Sequence, residues 1–500
     1  MNPALVIIAV ILLLCILFNK LFSRLGIPSL LIFLVLGMLC GSDGIGGIYF
    51  DNYALANDIC SIGLIFIMFY GGFSTNWKAA KPVAGKAIAM STIGVILTAL
   101  FTGLFCRWVL RLPLLESFLI GSVISSTDAA SVFSILRSRK LNLKNNLASL
   151  LEVESGSNDP ASYMLTMIIL SLMQTSSEHS LIQTVIFQVV FGVSFGLLLG
   201  FGCAFLLKRF TIENDGFYPI FVSAVALLGY GLCGLIDGNG YLCVYLIGII
   251  LGNSRILHKK SLVHFFDGIS WLMQIMLFFT LGLLSFPSRL PQVAIPGILV
   301  SLFLIFVARP LSVTSVLSWF RVPLKEQLLI SWVGLRGAAS IVFAIFAVSC
   351  NISLNQDIFH TVFFGAVFSV SVQGTLIPWV ARKLDLVGEE ESSVFKTFTD
   401  YDEDSSHRLL EVPIHCEHIW YGKTVAEANV PEENLIVMIQ RGKDRIVPKG
   451  STEILDGDLL ILSGSDFNHL PFFSDADIEK KKSEFISEQE NKPVKSQLPK

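Results

Sequence analysis

Long apolar segments follow one another from the N-terminus to about residue 383, and they limit more than any other feature how this chain can fold. Thirteen such segments can be counted, near residues 4–22, 26–42, 55–73, 84–107, 114–136, 146–175, 181–208, 217–235, 240–254, 264–286, 294–318, 326–350 and 357–381. A helix needs about 20 mostly apolar residues to cross the hydrocarbon core of a bilayer, and fewer where other helices surround it. We therefore predict an all-α polytopic membrane protein with about 13 transmembrane helices.

The composition excludes a water-soluble globular protein, because only 15% of the residues are charged and 53% are apolar. The charge is also distributed unevenly. Residues 1–383 hold 23 Lys and Arg against 15 Asp and Glu, whereas the remainder holds 13 against 24. This pattern predicts one membrane domain followed by an acidic soluble tail. Nucleic acid is not expected as a partner, since the basic residues lie in short loops and form no patch.

The basic residues of the short loops indicate which side of the membrane each loop faces. Loops after odd-numbered segments carry sixteen Lys and Arg residues in total, whereas loops after even-numbered segments carry three. Cytoplasmic loops are the ones enriched in Lys and Arg. We therefore predict that the N-terminus lies outside the cell and that the C-terminal tail lies in the cytoplasm.

Most charged residues of 1–383 lie in loops, and the clearest exceptions inside the apolar segments are Asp128, Glu154, Asp159, Arg309 and Arg336. Each costs roughly 2.5–3.5 kcal/mol at the bilayer centre unless it is paired or hydrated. Three acids and two bases leave one carboxylate in surplus. If Arg309 pairs with Glu154 and Arg336 pairs with Asp128, the surplus acid is Asp159. An unpaired, partly desolvated carboxylate can hold a proton or a cation in turn, and this competition is the chemistry of an antiporter.

The residues around these acids also suit a cation site. Small and hydroxyl residues fill 121–131, so a locally unwound helix there would expose carbonyl groups and the Thr127 hydroxyl, which are oxygen ligands for an alkali cation. In the next segment Glu154 and Asn158 share a helix face, while Asp159 is turned by about 140° from Glu154. Glu154 can thus pair with a neighbouring helix while Asp159 faces elsewhere.

Simpler interpretations of the same residues remain open. Asp128 could be one buried acid in a tight contact between small-residue helices. Glu154 and Asp159 could belong to a capping cluster at a helix end near the interface. Arg309 and Arg336 could extend their side chains to an interface.

The residues at these positions resemble the monovalent cation:proton antiporter family, which includes NhaP-type prokaryotic exchangers and animal sodium/proton exchangers. The matching motifs are Thr127-Asp128, Glu154-Ser155-x-x-Asn158-Asp159, Arg309-Pro310, Gly334-Leu335-Arg336-Gly337-Ala338 and Val372-Gln373-Gly374. The resemblance covers about residues 4–383. It implies an inverted-repeat antiporter fold in a bacterial inner membrane, with one half that forms a homodimer. In the other half, two broken helices cross at the ion site.

The same resemblance implies roles for individual residues. Asp159 would be the acid that binds the ion and carries the proton, and the ion-binding set would comprise Thr127, Asp128, Ser155, Asn158 and Asp159. Asn158 replaces a second acid of electrogenic relatives, which implies electroneutral exchange. Glu154–Arg309 and Asp128–Arg336 would be structural ion pairs, and no cofactor is implied. Tyr70 is a departure, because relatives often have an acid there, and this puts a third-segment ligand and the cation preference in question.

The tail divides into an acidic linker at 384–406, a small domain at 407–468 and a disordered end at 469–500. Short strands alternate with turns in the small domain, and residues 422–428 are expected to form one short helix, which gives an α+β fold. The domain resembles the TrkA-C (RCK-C) domain through Gly422-Lys423-Thr424, Arg441-Gly442 and Ile454-Leu455-Asp456-Gly457-Asp458. Such domains gate potassium transporters and often bind a small nucleotide, so a nucleotide regulator is expected. A pairing domain without a ligand is the alternative.

These observations predict a secondary transporter that exchanges a monovalent cation for protons, surrounded by lipid, for cation extrusion and pH homeostasis. K⁺ is favoured over Na⁺ because of the TrkA-C-like tail, and a bacterial potassium/proton antiporter is the nearest type. The alternatives are a Na⁺/H⁺ antiporter and a ligand-gated cation channel, although the sequence has no repeated carbonyl-filter motif. An enzyme is not expected, because no zinc-protease motif, nucleophile elbow or phosphate loop is present.

Overall fold

The computed structural model of this chain describes residues 2–23, 28–139, 141–174, 181–209, 214, 216–256, 258–350, 356–388, 408–415, 418–431, 433–442 and 444–464. The predicted linker beyond residue 388 and the predicted disordered end at 469–500 lie outside these residues. The chain divides into two compact units, residues 1–389 and 390–500.

The first unit is built from helices. In chain order they are α1 (Asn2–Ser23), α2 (Ser29–Cys40), α3 (Tyr53–Ser74), α4 (Trp77–Ala80), α5 (Ala84–Ala89), α6 (Val95–Trp108), α7 (Leu114–Ile124), α8 (Ala129–Ser138), α9 (Leu147–Met173), α10 (Leu181–Arg209), α11 (Phe217–Leu235), α12 (Gly240–Gly252), α13 (Lys259–Leu284), α14 (Leu290–Phe303), α15 (Arg309–Leu317), α16 (Leu324–Val333), α17 (Ala338–Ser349), α18 (Ile358–Phe368) and α19 (Thr375–Lys383). Short π-helical segments join α5 to α6, α14 to α15 and α18 to α19, at Met90–Gly94, Leu304–Ala308 and Ser369–Gly374. A 3₁₀ turn, Pro287–Arg289, precedes α14.

Many of these helices are suited to a bilayer. Within the described residues, seven helical stretches are long and apolar enough to cross a membrane, and the pair formed by α16 and α17, bent by 50°, makes an eighth. Four shorter apolar helices accompany them, at Ala9–Leu21, Ser29–Cys40, Leu114–Ile124 and Gly240–Gly252. The unit is therefore a multi-pass helical membrane domain, as expected, while a total of thirteen spans stays a prediction.

Two helices of this domain are interrupted at polar or glycine-rich sequence. One interruption, at 125–128, separates α7 from α8, and the other, at 334–337, separates α16 from α17. The backbone N–H of Asp128 donates to the carbonyl of Leu335 over 2.9 Å, so the two interruptions are bonded to each other. Backbone groups freed from a helix inside a membrane need such partners or a polar cavity. The interruptions therefore place free backbone groups next to one another inside the domain.

A short strand pair connects the end of the domain to the loop between α8 and α9. Strand β1 (Asn142–Leu143) is antiparallel to β2 (Val387–Gly388), which follows α19. The backbone N–H of Lys144 donates to the carbonyl of Leu386 over 3.0 Å. Leu386 is buried in an apolar cluster that also contains residues of α8, α9, α16 and α19. The first residues after the last helix are thus anchored on the helices that carry the predicted acids.

The second unit contains a four-stranded antiparallel sheet. Its strands are β3 (Arg408–Pro413), β4 (Asn434–Arg441), β5 (Asp444–Ile446) and β6 (Asp458–Gly464), in the spatial order β3-β6-β4-β5. The core beneath the sheet includes Trp420, Ile439 and Leu460. Short strands that alternate with turns were predicted for this domain, and the structure has them.

The helix predicted at 422–428 is wrong, because these residues form turns. Three of their backbone N–H groups donate to carbonyls of residues 450–454, which a helix would not allow. Gly422 donates to Ile454, Val425 to Thr452 and Ala426 to Gly450. The described part of this unit is therefore a sheet with turns, and not the α+β fold that was expected.

Candidate functional site

The candidate site lies where the interruption before α8 meets helix α9. The Ser155 hydroxyl donates to the carbonyl of Thr127 over 2.7 Å, and the side-chain amide of Asn158 donates to the Thr127 hydroxyl. All three residues are buried. The structure thus brings together three of the predicted ion-binding residues, with Thr127 at the centre. The amide oxygen of Asn158 is buried and has no hydrogen-bond partner among the described residues.

Asp159 lies in the same place and is 6% exposed. Its carboxylate accepts a hydrogen bond from the hydroxyl of Ser126, which belongs to the interruption. Among the described residues, no Lys or Arg forms an ion pair with it. Within the described ranges, the structure therefore has a buried acid that no basic side chain neutralises, and the preceding residue, Asn158, has a buried amide oxygen without a partner.

Glu154 and Arg309 form an ion pair that ties α9 to α15. The guanidinium Nη2 donates to Glu154 Oε1, and the side chains are 1% and 2% exposed. Arg309 packs closely against the second interruption, since a Cβ on Gly334 would come within 2.7 Å of its Nε. The pairing expected from charge counting is thus present in the structure, and its close packing explains why residue 334 has no side chain.

The other predicted pair, Asp128 with Arg336, is not formed between these two described residues. Arg336 Nη1 donates instead to the carbonyls of Ser125 and Ser126, at 2.7 Å each. Asp128 accepts a hydrogen bond of 2.6 Å from the hydroxyl of Ser131, at the start of α8. The physical reason is that an unwound segment exposes backbone carbonyls, which satisfy a guanidinium without a carboxylate.

Gly337 is required where the two interruptions touch. A Cβ at this position would lie 2.3 Å from the Cβ of Asp128. No side chain can be accommodated at that distance without moving backbone. The glycines of the Gly334-Leu335-Arg336-Gly337 motif thus allow Arg309 and Asp128 to approach the second interruption.

Three residues that the sequence analysis did not single out also contribute. Ser126 bonds directly to Asp159, and it could have been found as the hydroxyl next to Thr127. The side-chain amide of Asn239 donates to the carbonyl of Pro160 over 2.8 Å. Tyr245 packs its ring on Gly156 of α9, and no sequence signal pointed to it.

Tyr70 is at the position where the family resemblance led us to expect an acid. Its hydroxyl donates to Asp267 of α13 over 2.9 Å. This bond directs Tyr70 toward α13, so it gives no sign of a third-segment ligand for the candidate site.

The chemistry available at this site is that of oxygen atoms. The carboxylate of Asp159, the amide oxygen of Asn158, and the hydroxyl and carbonyl groups of 125–128 are ligands that hard cations prefer. Among the described residues, no group of three or more His, Cys, Asp and Glu side chains is arranged to hold a metal ion. The carboxylate of Asp159 together with several neutral oxygens suits a monovalent cation.

Comparisons with known proteins identify the family and several relatives of this chain. The family profile described as the transmembrane sodium/hydrogen exchanger matches residues 9–383, and the TrkA-C domain profile matches residues 409–466. The chain is 37% identical over 413 residues to the K⁺/H⁺ antiporter NhaP of Alkalimonas amylolytica, covering 82% of this chain and 72% of that protein. It is 33% identical over 460 residues to NhaP2 of Shewanella oneidensis, a K⁺/H⁺ antiporter, covering 90% and 79%.

The fold is also similar to a solved structure. The sodium proton antiporter MjNhaP1 from Methanocaldococcus jannaschii superposes with a TM-score of 0.68 at 26% identity, over 77% of this chain and 99% of that one. The helical unit, the paired interruptions and the buried acid thus occur in a chain that matches one family over three quarters of its length. The chain belongs to the sodium/hydrogen exchanger family and carries a C-terminal TrkA-C domain.

Proposed function

We propose that this chain is an antiporter that exchanges a monovalent cation for a proton, with Asp159 holding the two in turn. The observation that carries the proposal is that, in the part of the chain that the structure describes, no Lys or Arg forms an ion pair with this carboxylate. Arg309 is committed to Glu154, and Arg336 is committed to two backbone carbonyls. A proton or a cation is then the remaining source of positive charge for a buried acid.

The neighbouring oxygens complete a cation site in this proposal. Asn158 offers its unpartnered amide oxygen, and Ser155 and Thr127 hold the unwound segment in place. Because Asn158 is neutral, Asp159 is the acid that takes either one cation or one proton in this proposal, and the exchange is electroneutral. The interruptions correspond to the two broken helices that cross at the ion site in the family.

K⁺ is the favoured substrate, and Na⁺ is the alternative. Two relatives are named K⁺/H⁺ antiporters, and the TrkA-C domain accompanies potassium transport. Na⁺ is the alternative because the solved structure of similar fold is a sodium proton antiporter. Selectivity between two hard cations depends on cavity geometry, so exchange has to be measured with both K⁺ and Na⁺.

The arrangement in the membrane follows from the charge pattern. In this proposal the Lys and Arg of the short loops put the N-terminus outside and the tail in the cytoplasm. The family resemblance adds a homodimer in a bacterial inner membrane. The TrkA-C domain is the regulatory part, with a small nucleotide as its candidate ligand.

Exchange in everted vesicles tests the proposal. A proton gradient is imposed, and release of the gradient is followed with a pH-sensitive dye after KCl or NaCl is added. Asp159→Asn should abolish cation-dependent release while the protein accumulates normally. Asp267→Asn is the control, because it removes another acid that accepts a hydrogen bond from a hydroxyl, a half-buried one bonded to Tyr70. This variant should retain exchange. Wild-type release in Asp159→Asn would overturn the proposal.

The same vesicles separate an antiporter from a ligand-gated cation channel. An electroneutral exchanger moves protons down an imposed pH gradient whether or not a membrane potential is present. A channel would instead carry cation current that follows the potential. Release that disappears when the potential is clamped to zero would favour the channel.

A further inference from the structure

The second interruption, at 334–337, separates two backbone groups that a continuous helix would bond to each other. In an α-helix the carbonyl of Trp332 would accept a hydrogen bond from the N–H of Arg336, four residues later. In this structure both groups bond instead to side chains of the π-helical segment Ser369–Gly374. The break between α16 and α17 is therefore filled by polar groups from another part of the chain.

The two side chains that fill the break are those of Ser369 and Gln373, and they make a chain of three hydrogen bonds. The amide Nε2 of Gln373 donates to the carbonyl of Trp332. The hydroxyl of Ser369 donates to Gln373 Oε1 over 2.8 Å and accepts a hydrogen bond of 3.2 Å from the N–H of Arg336. Both side chains are buried. This Ser369–Gln373 bridge takes the place of one helical hydrogen bond.

The bridge opposes closure of the break. If α16 and α17 joined into one helix, the two backbone groups would bond to each other, and the buried hydroxyl and amide would lose these partners. A buried polar group without a partner is unfavourable. The bridge therefore stabilises the interrupted form of this helix over the continuous form.

The interrupted form also directs Arg336 toward the candidate site. Its Nη1 donates to the carbonyls of Ser125 and Ser126, and the Ser126 hydroxyl donates in turn to Asp159. The N–H of Arg336 is held by the bridge. The bridge, the guanidinium and the first interruption thus form one connected set of hydrogen bonds that ends at the buried acid.

We propose that Gln373 is a positioning residue for cation binding, which acts with Ser369 to keep the break open and so keeps the first interruption in the form that receives the cation. The inference rests on the proposed exchange at Asp159. Without the bridge, a fraction of the molecules closes the break and cannot bind the cation. The apparent affinity then falls with the competent fraction, and a saturating cation concentration restores that fraction.

Gln373→Leu tests the proposal, because it removes the amide and keeps the backbone carbonyl to which Trp332 Nε1 donates over 3.2 Å. The full chain is reconstituted in liposomes, and exchange rates are measured against KCl and NaCl concentration. The apparent KM for the cation with the lower wild-type KM should rise by about three- to tenfold, as expected for one hydrogen bond. The maximal rate should stay near that of the wild type.

The split between KM and maximal rate separates positioning from general stability. A purely structural role would reduce the amount of active protein, so it would lower the maximal rate and leave the KM unchanged. That result would overturn the inference, and so would wild-type KM values with both cations.

Ser369→Ala breaks the same bridge at its middle with a smaller truncation, and it gives the same test if Gln373→Leu does not accumulate in the membrane. Its KM should rise by a similar factor. The double variant should be no worse than the weaker-binding single variant, because both changes interrupt one chain of hydrogen bonds. KM increases that multiply in the double variant would overturn the bridge.

Gln327→Leu is the matched control. Gln327 is also a buried glutamine of α16, and its Nε2 donates over 2.7 Å to the carbonyl of Val322, which precedes that helix. Its loss should lower thermal stability about as much as Gln373→Leu and leave the KM at the wild-type value. An equal rise in KM would overturn the inference, since the loss of any buried amide would then suffice.

The series distinguishes a failure of this inference from a failure of the proposed exchange. Absence of exchange in the wild type, or its persistence in Asp159→Asn, would reject the exchange itself. Exchange that depends on Asp159 but keeps its KM in Gln373→Leu would reject only the role of the bridge.

Discussion

Two arginine–carboxylate pairs, one in the membrane unit and one in the tail, show how differently the same chemistry is used. In the tail, Arg441 donates from Nε and Nη2 to the two oxygens of Asp458, at 2.7 Å each, and also to the carbonyl of Glu453. Asp458 accepts a further bond from the N–H of Leu455. The tail pair is bidentate, and both carboxylate oxygens are bonded.

The membrane pair leaves bonds unmade. Glu154 Oε2 and Arg309 Nε are buried without partners among the described residues. Taking charges out of water is expensive, and a pair of this kind often adds little net stability. We infer that the tail pair stabilises its sheet. The membrane pair instead fixes the position of α9 relative to α15 beside the candidate site.

The largest expected effect comes from breaking the membrane pair. Glu154→Gln or Arg309→Met should each lower the stability of the purified protein by about 3–5 kcal/mol, because one buried charge is left alone. Both should also lose exchange. The charge-swapped double variant Glu154→Arg/Arg309→Glu should recover part of each. Thermal unfolding in detergent and vesicle exchange check this, and a single variant as stable as the wild type would contradict it.

A charge swap at Asp128 and Arg336 sharpens the comparison, because these residues share no ion pair in the structure. Replacing Arg336 removes its hydrogen bonds to the carbonyls of Ser125 and Ser126. We expect Asp128→Arg/Arg336→Asp to remain at the level of the single variants in the same two measurements. Rescue comparable to that of the Glu154 and Arg309 swap would mean that the pair forms after all.

Gly337→Ala should have a smaller but clear effect. The new Cβ would overlap Asp128, at 2.3 Å from its Cβ, and the two interruptions would have to separate. Crowding of this kind typically lowers stability by about 1–3 kcal/mol, and we expect vesicle exchange to fall with it. Gly71→Ala on α3 is the control, since nothing lies within 4 Å of its added Cβ. Equal thermal stability of the two variants would argue against this contact.

The smallest effect is expected in the tail. Arg441→Ala should leave exchange near the wild-type rate and should destabilise only the sheet, by about 1–2 kcal/mol, because the arginine is partly exposed to solvent. Faster amide hydrogen exchange in β4 and β6 of the full chain measures this. Unchanged protection of both strands would contradict it.

The tail pair also predicts a pH dependence. Burial opposes ionisation of Asp458, but the bonds from Arg441 and from Leu455 N–H hold the pKa of its carboxyl below the usual value. The stabilisation is therefore fully present above the ordinary pKa of about 3.9 and is lost as the pH falls through the lowered value. Protection of β6 should weaken in that acidic range, and less so in Arg441→Ala, where the contribution is already absent.

Much of the fold could be predicted from sequence, because apolar length and turn residues determine where helices and strands begin and end. Counting charges led to the pairing of Glu154 with Arg309, since few other partners exist in the apolar segments. The same count failed for Arg336, because its partners are backbone carbonyls, which no residue count can reveal. The helix expected at 422–428 failed for a related reason, since its N–H groups bond to residues distant in sequence. Tyr245 was missed because a tyrosine in an apolar helix has no distinguishing pattern.

The short strand pair β1–β2 has a mechanical consequence. Residues 387 and 388 are bonded to the loop that joins α8 to α9. Lys144 adds a side-chain ion pair to Asp385 at 3.3 Å. The attachment acts as a tether within the membrane unit, because it fastens the residues that follow α19 to the loop that leads into α9, the helix of Asp159.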